Sequence, residues 1–172
     1  AKQKVTNSTQ AFIPVHLFGK GMSVDELVDT NLLVFEDAAE ALGVYIYHNH
    51  NKVHAGMAGN AGFFGFFPNK QITTGEGGMI VSRRDHYGYD YEYNRAHGLN
   101  LSGRVYCAGH NYKLTAMQAT VGVEQLKRFE ELKQKRIKAA RKYNKYLQGV
   151  NLITKYFSTN FSSISLICKK EN

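Results

Sequence analysis

Two strand ends and one polar cluster hold the residues of this sequence that could do chemistry. The acidic pair Glu36-Asp37 closes an apolar run, Lys70 closes a second apolar run, and the cluster at positions 110–113 precedes a region of helical spacing. Burial at the end of a strand strips hydration from a lysine and disfavours its charged form. The neutral amine attacks carbonyl carbons to form a Schiff base, and a carboxylate beside a pyridine ring keeps the ring nitrogen protonated. Spacing alone leaves open that Lys70 is an ordinary surface lysine.

The elements that must position these residues are short apolar runs separated by turns. Four such runs predict strands, at positions 11–17, 31–35, 63–67 and 79–82. A short helix is predicted from Met22 to Asp29, between the first two runs. Strand, helix and strand at this spacing indicate a βαβ unit of a parallel sheet. Ligands of such sheets bind beyond the carboxyl ends of the strands, which is where Asp37 lies.

The second half of the sequence has helical spacing. From Leu114 to Leu147 the apolar positions recur with the period of an α-helix, which predicts one long helix or two consecutive helices. Residues 45–62, rich in Gly, Asn and His, predict an irregular segment, and residues 164–167 have weak strand character. The predicted fold class is therefore α/β, with a mostly parallel sheet, flanking helices and a long helix after them.

The composition fits one folded domain with a core, since the chain has 172 residues of which 43% are hydrophobic. The formal net charge of +8 permits attraction to anions. Much of the excess lies between Lys127 and Lys145, where a solvated helix face explains it more simply than a nucleic-acid site. No apolar run reaches the length of about 18 residues that indicates a membrane span. With no signal peptide recognised, a cytoplasmic protein is expected.

Metal and thiol chemistry are the less favoured interpretations of two further groups. His48, His50 and His54 share one loop, but no cysteine or ordered acidic ligand accompanies them, so a polar loop is favoured over a metal site. Cys107 and Cys168 form no CxxC pair, and both are expected to be free thiols.

The stretch around Lys70 carries a long and specific motif. Residues 66–79, FFPNKQITTGEGGM, resemble the cofactor-lysine segment of the DegT/DnrJ/EryC1/StrS aminotransferases, fold type I enzymes that use pyridoxal 5'-phosphate (PLP) to make amino sugars. Supporting segments fall in the order of that family: 14–19 (PVHLFG), 36–43 (EDAAEALG), 95–98 (RAHG) and 111–115 (NYKLT). The resemblance covers about residues 11–150.

Carried over position by position, the resemblance implies a set of cofactor contacts. Lys70 would hold PLP as a Schiff base and later move a proton. Asp37 would pair with the pyridine nitrogen, and Glu40 would lie near the ring hydroxyl. Asn111 resembles the residue that reaches the cofactor phosphate of a neighbouring subunit, which implies a homodimer. The alternatives are a capping role for Asp37 at a strand-to-helix junction and a turn role for Asn111.

The resemblance also implies an activity and a domain plan. The activity is transfer of an amino group from an amino acid, typically glutamate, to a nucleotide-linked keto sugar in amino-sugar and surface-polysaccharide biosynthesis. The plan is a lead-in at 1–10, a partial PLP-binding large domain at 11–120, a helical connection at 121–150 and the truncated start of a small C-terminal domain at 151–172.

Two positions depart from the family pattern. Gly65 stands where many relatives carry a serine that binds the cofactor phosphate. Glycine has no hydroxyl for this hydrogen bond, and a hydrogen bond to a charged group is worth about 1.5–3 kcal/mol. Lys113 stands where arginine is usual, so the positive charge is kept but the planar guanidinium group of arginine is lost. Relatives also have a segment before the equivalent of Pro14 and a fuller C-terminal domain. Two alternatives therefore stay open: a catalytically inactive fragment or docking subunit of the same fold, and a basic nucleic-acid-binding module.

Overall fold

The computed structural model describes residues 4–28, 31–82 and 85–146, which contain six strands, four α-helices and a short 3-10 turn at Leu17–Gly19. The strands are β1 (Ala11–Phe12), β2 (Leu33–Asp37), β3 (Tyr45–His48), β4 (Asn51–His54), β5 (Ala61–Gly65) and β6 (Gly78–Ser82). The helices are α1 (Asp25–Val28), α2 (Asp85–Asn94), α3 (Ala116–Lys127) and α4 (Phe129–Tyr146). The weak strand predicted at 164–167 and the predicted C-terminal domain start at 151–172 lie outside the described residues.

A four-stranded sheet in the order β1-β2-β5-β6 forms the centre of the fold. β1, β2 and β5 run parallel, with Phe35 opposite Ala61 and Asp37 opposite Phe63, and β6 joins β5 antiparallel. β1, α1 and β2 form the predicted βαβ unit, so the predicted α/β class with a mostly parallel sheet is confirmed. The parallel arrangement places the ends of β2 and β5 at one edge of the sheet.

The first predicted strand is shorter than its apolar run. Only Ala11 and Phe12 form β1, because Pro14 has no amide hydrogen to continue the ladder. The chain still follows β2, since Asp37 donates its N–H to the Pro14 carbonyl and accepts the N–H of His16. The predicted strands at 31–35 and 63–67 are displaced by about two residues, to 33–37 and 61–65.

The prediction of an irregular segment at 45–62 is wrong, because β3 and β4 form an antiparallel hairpin there. Its two central residues, Asn49 and His50, have φ values of 47° and 63°. This left-handed pair is typical of the tight turn that matches strand twist, for which Asn-Gly is the usual sequence signal. His50 stands where that signal has glycine, and the hairpin was missed for this reason.

The region of helical spacing forms two consecutive helices, α3 and α4, which meet at Arg128. Thr115 caps α3 in a capping box: its side chain accepts from the Gln118 amide, and the Gln118 side chain accepts from the Thr115 amide. α3 buries none of its residues, and α4 buries Ile137 and Ala140. No pattern in the sequence predicted α2.

The main core lies between the sheet, α1 and the β3–β4 hairpin. Its buried residues are small and aliphatic apart from one aromatic ring: Val24, Ala38, Ala41, Val44, Ile46, Ala55, Ala58 and Phe64. Backbone approaches closely here, because a Cβ on Gly62 of β5 would lie 2.0 Å from the Gly56 carbonyl oxygen. Only glycine fits at position 62, which lets the 55–59 segment lie directly on β5.

A charged residue, Glu36, lies fully buried on the inner face of β2. Its Oε1 accepts from the amides of Ala58 and Gly59, both at 2.7 Å. Its Oε2 accepts from the Gly56 amide at 2.8 Å and from Nε2 of buried His16 at 2.8 Å. Four donors therefore compensate this carboxylate inside the fold.

The proton positions in this network follow from its partners. The Met22 amide donates to Nδ1 of His16, so the ring proton sits on Nε2 and points at Glu36. Burial alone would raise the pKa of Glu36, but the hydrogen bonds from His16, Gly59 and Gly56 outweigh it and hold the pKa below its ordinary value of 4.5. A depressed pKa in the folded state stabilises the fold above pH 4.5, and this contribution is lost as the pH falls through the folded pKa.

Glu36→Gln is expected to lower the free energy of unfolding by about 3 kcal/mol at pH 7, because an amide has one acceptor oxygen and leaves two of the four donors unpaired. Urea unfolding followed by circular dichroism measures the change. Glu26→Gln, at an exposed position of α1, serves as the control and should change stability by less than about 0.5 kcal/mol. The deficit of Glu36→Gln should shrink below pH 4.5, as the wild-type carboxylate becomes protonated. A deficit that stays constant to low pH would contradict this account.

Candidate active site

The carboxyl ends of β2 and β5 bring three of the four predicted site residues, Asp37, Glu40 and Lys70, to one edge of the sheet. Asp37 is the last residue of β2, and Glu40 follows it by three positions. Gly65 is the last residue of β5, and Lys70 follows it by five positions. Because β2 and β5 are adjacent and parallel, both connections leave the sheet on the same side.

Lys70 and Glu40 form an ion pair at this edge. Nζ of Lys70 lies 3.1 Å from Oε1 of Glu40, and the two side chains are only 16% and 20% exposed. The Lys70 stem passes the end of β5, since a Cβ on Gly65 would meet Cε of Lys70 at 3.5 Å. A reactive amine is therefore held next to a carboxylate in a largely desolvated position.

Glu40 itself is held by two further groups. Its Oε2 accepts the Phe18 amide at 2.8 Å, and its backbone carbonyl accepts the side-chain amide of Gln71. Phe18 has a φ of 55°, a left-handed conformation that costs about 1–2 kcal/mol for a residue other than glycine. The Oε1 atom of buried Gln71 has no hydrogen-bond partner within the described part of the chain.

The loop that carries Lys70 is closed by its own backbone. The Lys70 amide donates to the Phe67 carbonyl at 3.0 Å, and the amide of Thr74 and the hydroxyl of Thr73 both donate to the Phe66 carbonyl. From α4, Nη2 of Arg136 donates to the Lys70 carbonyl at 2.6 Å. Arg136 is half-buried, and burial lowers the pKa of its guanidinium below the ordinary value.

Asp37 uses one carboxylate oxygen locally. Oδ1 accepts the Ala39 amide at 3.0 Å, which is the turn-stabilising contact expected of an aspartate at a strand end. Oδ2 accepts no hydrogen bond from a described residue, and this oxygen remains able to bind a donor from a ligand. The local contact and a ligand contact are compatible, because they use different oxygens.

Asn111 is held by contacts other than those of the Lys70 cluster. Its backbone pairs with Ala96 in an isolated bridge, and its side chain is exposed. The neighbouring Lys113 is exposed as well. No hydrogen bond among the described residues joins Asn111 to Asp37, Glu40 or Lys70.

Three contacts at the site come from residues that were not singled out in the sequence: Phe18, Gln71 and Arg136. Arg136 contacts the Lys70 loop across 66 positions of sequence, and no local pattern indicates such a pairing. Phe18 and Gln71 lie within the motifs at 14–19 and 66–79, but their residue types do not indicate a contact with Glu40.

Two of the three histidines of the predicted polar loop, His48 and His54, bond to protein groups. Nδ1 of His48 lies 2.6 Å from Oδ1 of Asp25, and this hydrogen bond lowers the pKa of Asp25. Nε2 of His54 accepts the Gly43 amide, and its Nδ1 donates to the Ala55 carbonyl. Within residues 4–28, 31–82 and 85–146, no group of three potential metal ligands occurs.

Sγ of Cys107 donates to Oδ1 of Asn94 at 3.7 Å, and Cys107 is a free thiol, as predicted. Cys168 lies outside the described residues. In the described ranges, no helix combines the length and apolar character needed to cross a bilayer.

The structure thus has an α/β sheet with a partly buried lysine beside a carboxylate at its carboxyl edge, and a lysine amine is a group that can bind a carbonyl compound as a Schiff base. The sequence profile of the DegT/DnrJ/EryC1/StrS aminotransferase family matches residues 1–167. The chain belongs to this family.

Individual relatives agree with this assignment. GDP-perosamine synthase of Caulobacter vibrioides is 38% identical over 133 residues, which cover 74% of this chain and 35% of that protein. The solved structure of PseC from Helicobacter pylori, an aminotransferase of pseudoaminic acid biosynthesis, is 31% identical with a TM-score of 0.77 and covers 88% of this chain and 42% of its own. A PLP-bound Escherichia coli GDP-4-keto-6-deoxy-D-mannose-3-dehydratase is 28% identical with a TM-score of 0.82, covering 99% and 49%. The chain thus spans less than half the length of each of these relatives.

Arg136→Met is expected to loosen the Lys70 loop, because it removes the guanidinium that donates to the Lys70 carbonyl while keeping an apolar stem in α4. Trypsin should cleave the Lys70-Gln71 bond faster by about tenfold, the factor that corresponds to about 1.4 kcal/mol of lost local stability. Peptide mapping over a digestion time course measures the rate.

Arg141→Met provides the matched control, since Arg141 is an exposed residue of the same helix. It should leave the cleavage rate after Lys70 unchanged. Equal rates in wild type, Arg136→Met and Arg141→Met would show that the α4 contact does not hold the loop.

Proposed function

We propose that this chain carries the PLP-binding part of an aminotransferase that moves an amino group from an amino acid to a nucleotide-linked keto sugar. The observation that carries this proposal is the ion pair of Lys70 and Glu40 at the edge of the sheet where Asp37 also lies. Family membership supplies the reaction class. Glutamate is the expected amino donor.

The residues at the edge of the sheet fit PLP by their chemistry. Lys70 supplies a primary amine for the cofactor aldehyde, and Oδ2 of Asp37 supplies an acceptor for a protonated ring nitrogen. Glu40 supplies a carboxylate beside the amine. Gly65 supplies no hydroxyl for the phosphate, so phosphate binding must rest on other groups. A relative of the same fold is described with hydrated PLP bound, which supports this assignment.

Each side chain has a defined task in this proposal. When bound, PLP supplies an electron sink for the negative charge that develops on the donor carbon. Asp37 would keep the ring nitrogen protonated, and Lys70 would hold the cofactor through Nζ until the amine of the donor displaces it. The freed Nζ of Lys70 would then carry the proton that leaves the donor carbon. The low exposure of the Lys70 and Glu40 side chains limits access of water to this proton transfer.

The names of several relatives support the proposed substrates. GDP-perosamine synthases of Caulobacter vibrioides and Escherichia coli are named for a GDP-linked amino sugar. A further relative is named for GDP-4-keto-6-deoxy-D-mannose, a GDP-linked keto sugar. These names support a nucleotide-linked keto sugar as the amino acceptor and amino-sugar biosynthesis as the pathway class. A relative from Bacillus subtilis, named as the spore coat polysaccharide biosynthesis protein SpsC, supports surface polysaccharide as the product class.

A homodimer belongs to the same proposal. Asn111 would contact the cofactor phosphate of a neighbouring subunit, and its exposed side chain, without a bond to the Lys70 cluster of its own chain, supports such a role. A phosphate contact from a second subunit would also offset the missing hydroxyl at Gly65.

Reductive trapping tests the proposal directly. The purified 172-residue chain is mixed with PLP, treated with borohydride and mapped by mass spectrometry. Label is expected on the peptide that contains Lys70, and Lys70→Ala should remove it while Lys127→Ala, at an exposed site of α3, leaves it unchanged. Label scattered over exposed lysines, with none preferred at Lys70, would overturn the assignment. If Lys70 is labelled, the untreated chain is then incubated with PLP, glutamate and GDP-4-keto-6-deoxymannose, and amino transfer is measured.

Asp37→Asn is expected to weaken PLP binding by about tenfold or more, since a hydrogen bond to a charged group is worth about 1.5–3 kcal/mol. The variant keeps an oxygen for the Ala39 amide but turns an N–H toward the ring nitrogen. Equilibrium dialysis measures the affinity. Asp90→Asn, exposed in α2, should bind PLP like the wild type. Unchanged binding in Asp37→Asn would remove Asp37 from the site.

A further inference from the structure

The proposed function uses the ion pair of Glu40 with Lys70, but it does not explain the two further contacts that hold Glu40 in place. Each of its carboxylate oxygens faces one donor: Oε1 faces Nζ of Lys70 at 3.1 Å, and Oε2 faces the amide of Phe18 at 2.8 Å. Its backbone carbonyl accepts the side chain of Gln71, the residue after Lys70. The side chain and the backbone of Glu40 are thus both tied to the lysine loop or to the 17–19 turn.

The donors on both sides specify a carboxylate at position 40. An ionised carboxylate has acceptors only, so it satisfies the Lys70 ammonium and the Phe18 amide together. A glutamine of the same shape has one acceptor oxygen and one NH₂ donor. Its NH₂ group would face either Nζ of Lys70 or the N–H of Phe18, and one of the two contacts would become a donor facing a donor.

The turn at Leu17–Gly19 places the Phe18 amide against Glu40. Phe18 and Gly19 have φ values of 55° and 76°, and the Lys20 amide closes the turn on the Leu17 carbonyl. Glycine adopts such a conformation freely, but Phe18 does so only because its surroundings impose it. The Phe18 amide can donate to Glu40 because the turn holds it in this conformation.

We propose that Glu40 is the positioning residue for Lys70: a carboxylate locked by the Phe18 amide that holds the Lys70 amine in one place at the edge of the sheet. Lys70 must leave Oε1 of Glu40 before Nζ can bond to a carbonyl carbon, so the pair controls how often the amine is presented. Glu40 has this importance for the cofactor only if Lys70 is the cofactor-holding residue of the proposed function. The ion pair between Lys70 and Glu40 joins two protein groups, so it can be measured without a cofactor.

Competitive acetylation without PLP tests the hold on Lys70. The folded 172-residue chain is treated with a limiting amount of light acetic anhydride, then denatured, fully acetylated with the heavy reagent and analysed peptide by peptide. In wild type, Lys70 should react more slowly than Lys127, whose pair with Glu124 is 64% and 63% exposed. Glu40→Gln should speed acetylation of Lys70 by about tenfold, which corresponds to about 1.4 kcal/mol of lost pairing.

Glu124→Gln is the matched control, because it breaks an exposed lysine–glutamate pair in the same chain. It should leave the rate at Lys70 unchanged, and Glu40→Gln should leave the rate at Lys127 unchanged. Circular dichroism and the unfolding midpoint confirm that each variant is folded, so that a general loosening of the structure is separated from a local release of Lys70.

Glu40→Asp supplies a second variant should Glu40→Gln fail to fold. The aspartate keeps the charge and both oxygens but is one methylene shorter, so it cannot contact Phe18 and Lys70 together, and Lys70 should again react faster. Unchanged acetylation of Lys70 in the folded variants would overturn the positioning role. The same samples with PLP and borohydride report on the proposed function separately: faster acetylation with no PLP label would support the hold by Glu40 and contradict the cofactor assignment.

Discussion

The hydrogen-bonded carboxylate of Glu36 is the contact on which the arrangement at the edge of the sheet depends. It joins three parts of the chain inside the fold: β2, the 14–22 segment through His16, and the 56–59 segment through three amides. Successive residues of a strand point to opposite faces, so burying Glu36 on the core side turns the next residue, Asp37, toward the other side. The same network fixes the start of the 17–19 turn, which holds Glu40.

The charges at the site have a consequence for any anionic ligand. Asp37 and Glu40 carry two negative charges against the single positive charge of Lys70, so this cluster by itself does not attract a phosphate. The overall charge of +8 is favourable at long range but is screened within about 10 Å at ordinary salt. Groups close to the phosphate must therefore neutralise it, and Gly65 is not one of them. The cluster is suited to an aldehyde and a protonated ring nitrogen rather than to the phosphate.

The sequence predicted what local patterns determine. Apolar runs and turn residues located the βαβ unit, the strand before Lys70 and the helical second half, and the order of the motifs identified the family. It did not predict the hairpin at 45–54, because Asn49 and His50 adopt left-handed conformations without a glycine to signal them. Nor did it predict the contacts of Phe18 and Arg136, since a backbone amide carries no sequence signature and long-range partners follow only from the assembled fold. The four predicted site residues remain predictions, and the contact of Lys70 with Glu40 is the part of that set for which the structure adds geometry.

The hydrogen bond from Arg136 to the Lys70 carbonyl links a helix to a loop that lies 66 residues earlier in the chain. This N–H···O bond is 2.6 Å long and would be lost once its donor and acceptor separate by roughly 1 Å more. Translation or rotation of α4 by a fraction of a helical turn would therefore pull on the peptide unit of Lys70. Movement of α4 would thus be transmitted through one hydrogen bond to the backbone of Lys70, the residue proposed to hold the cofactor.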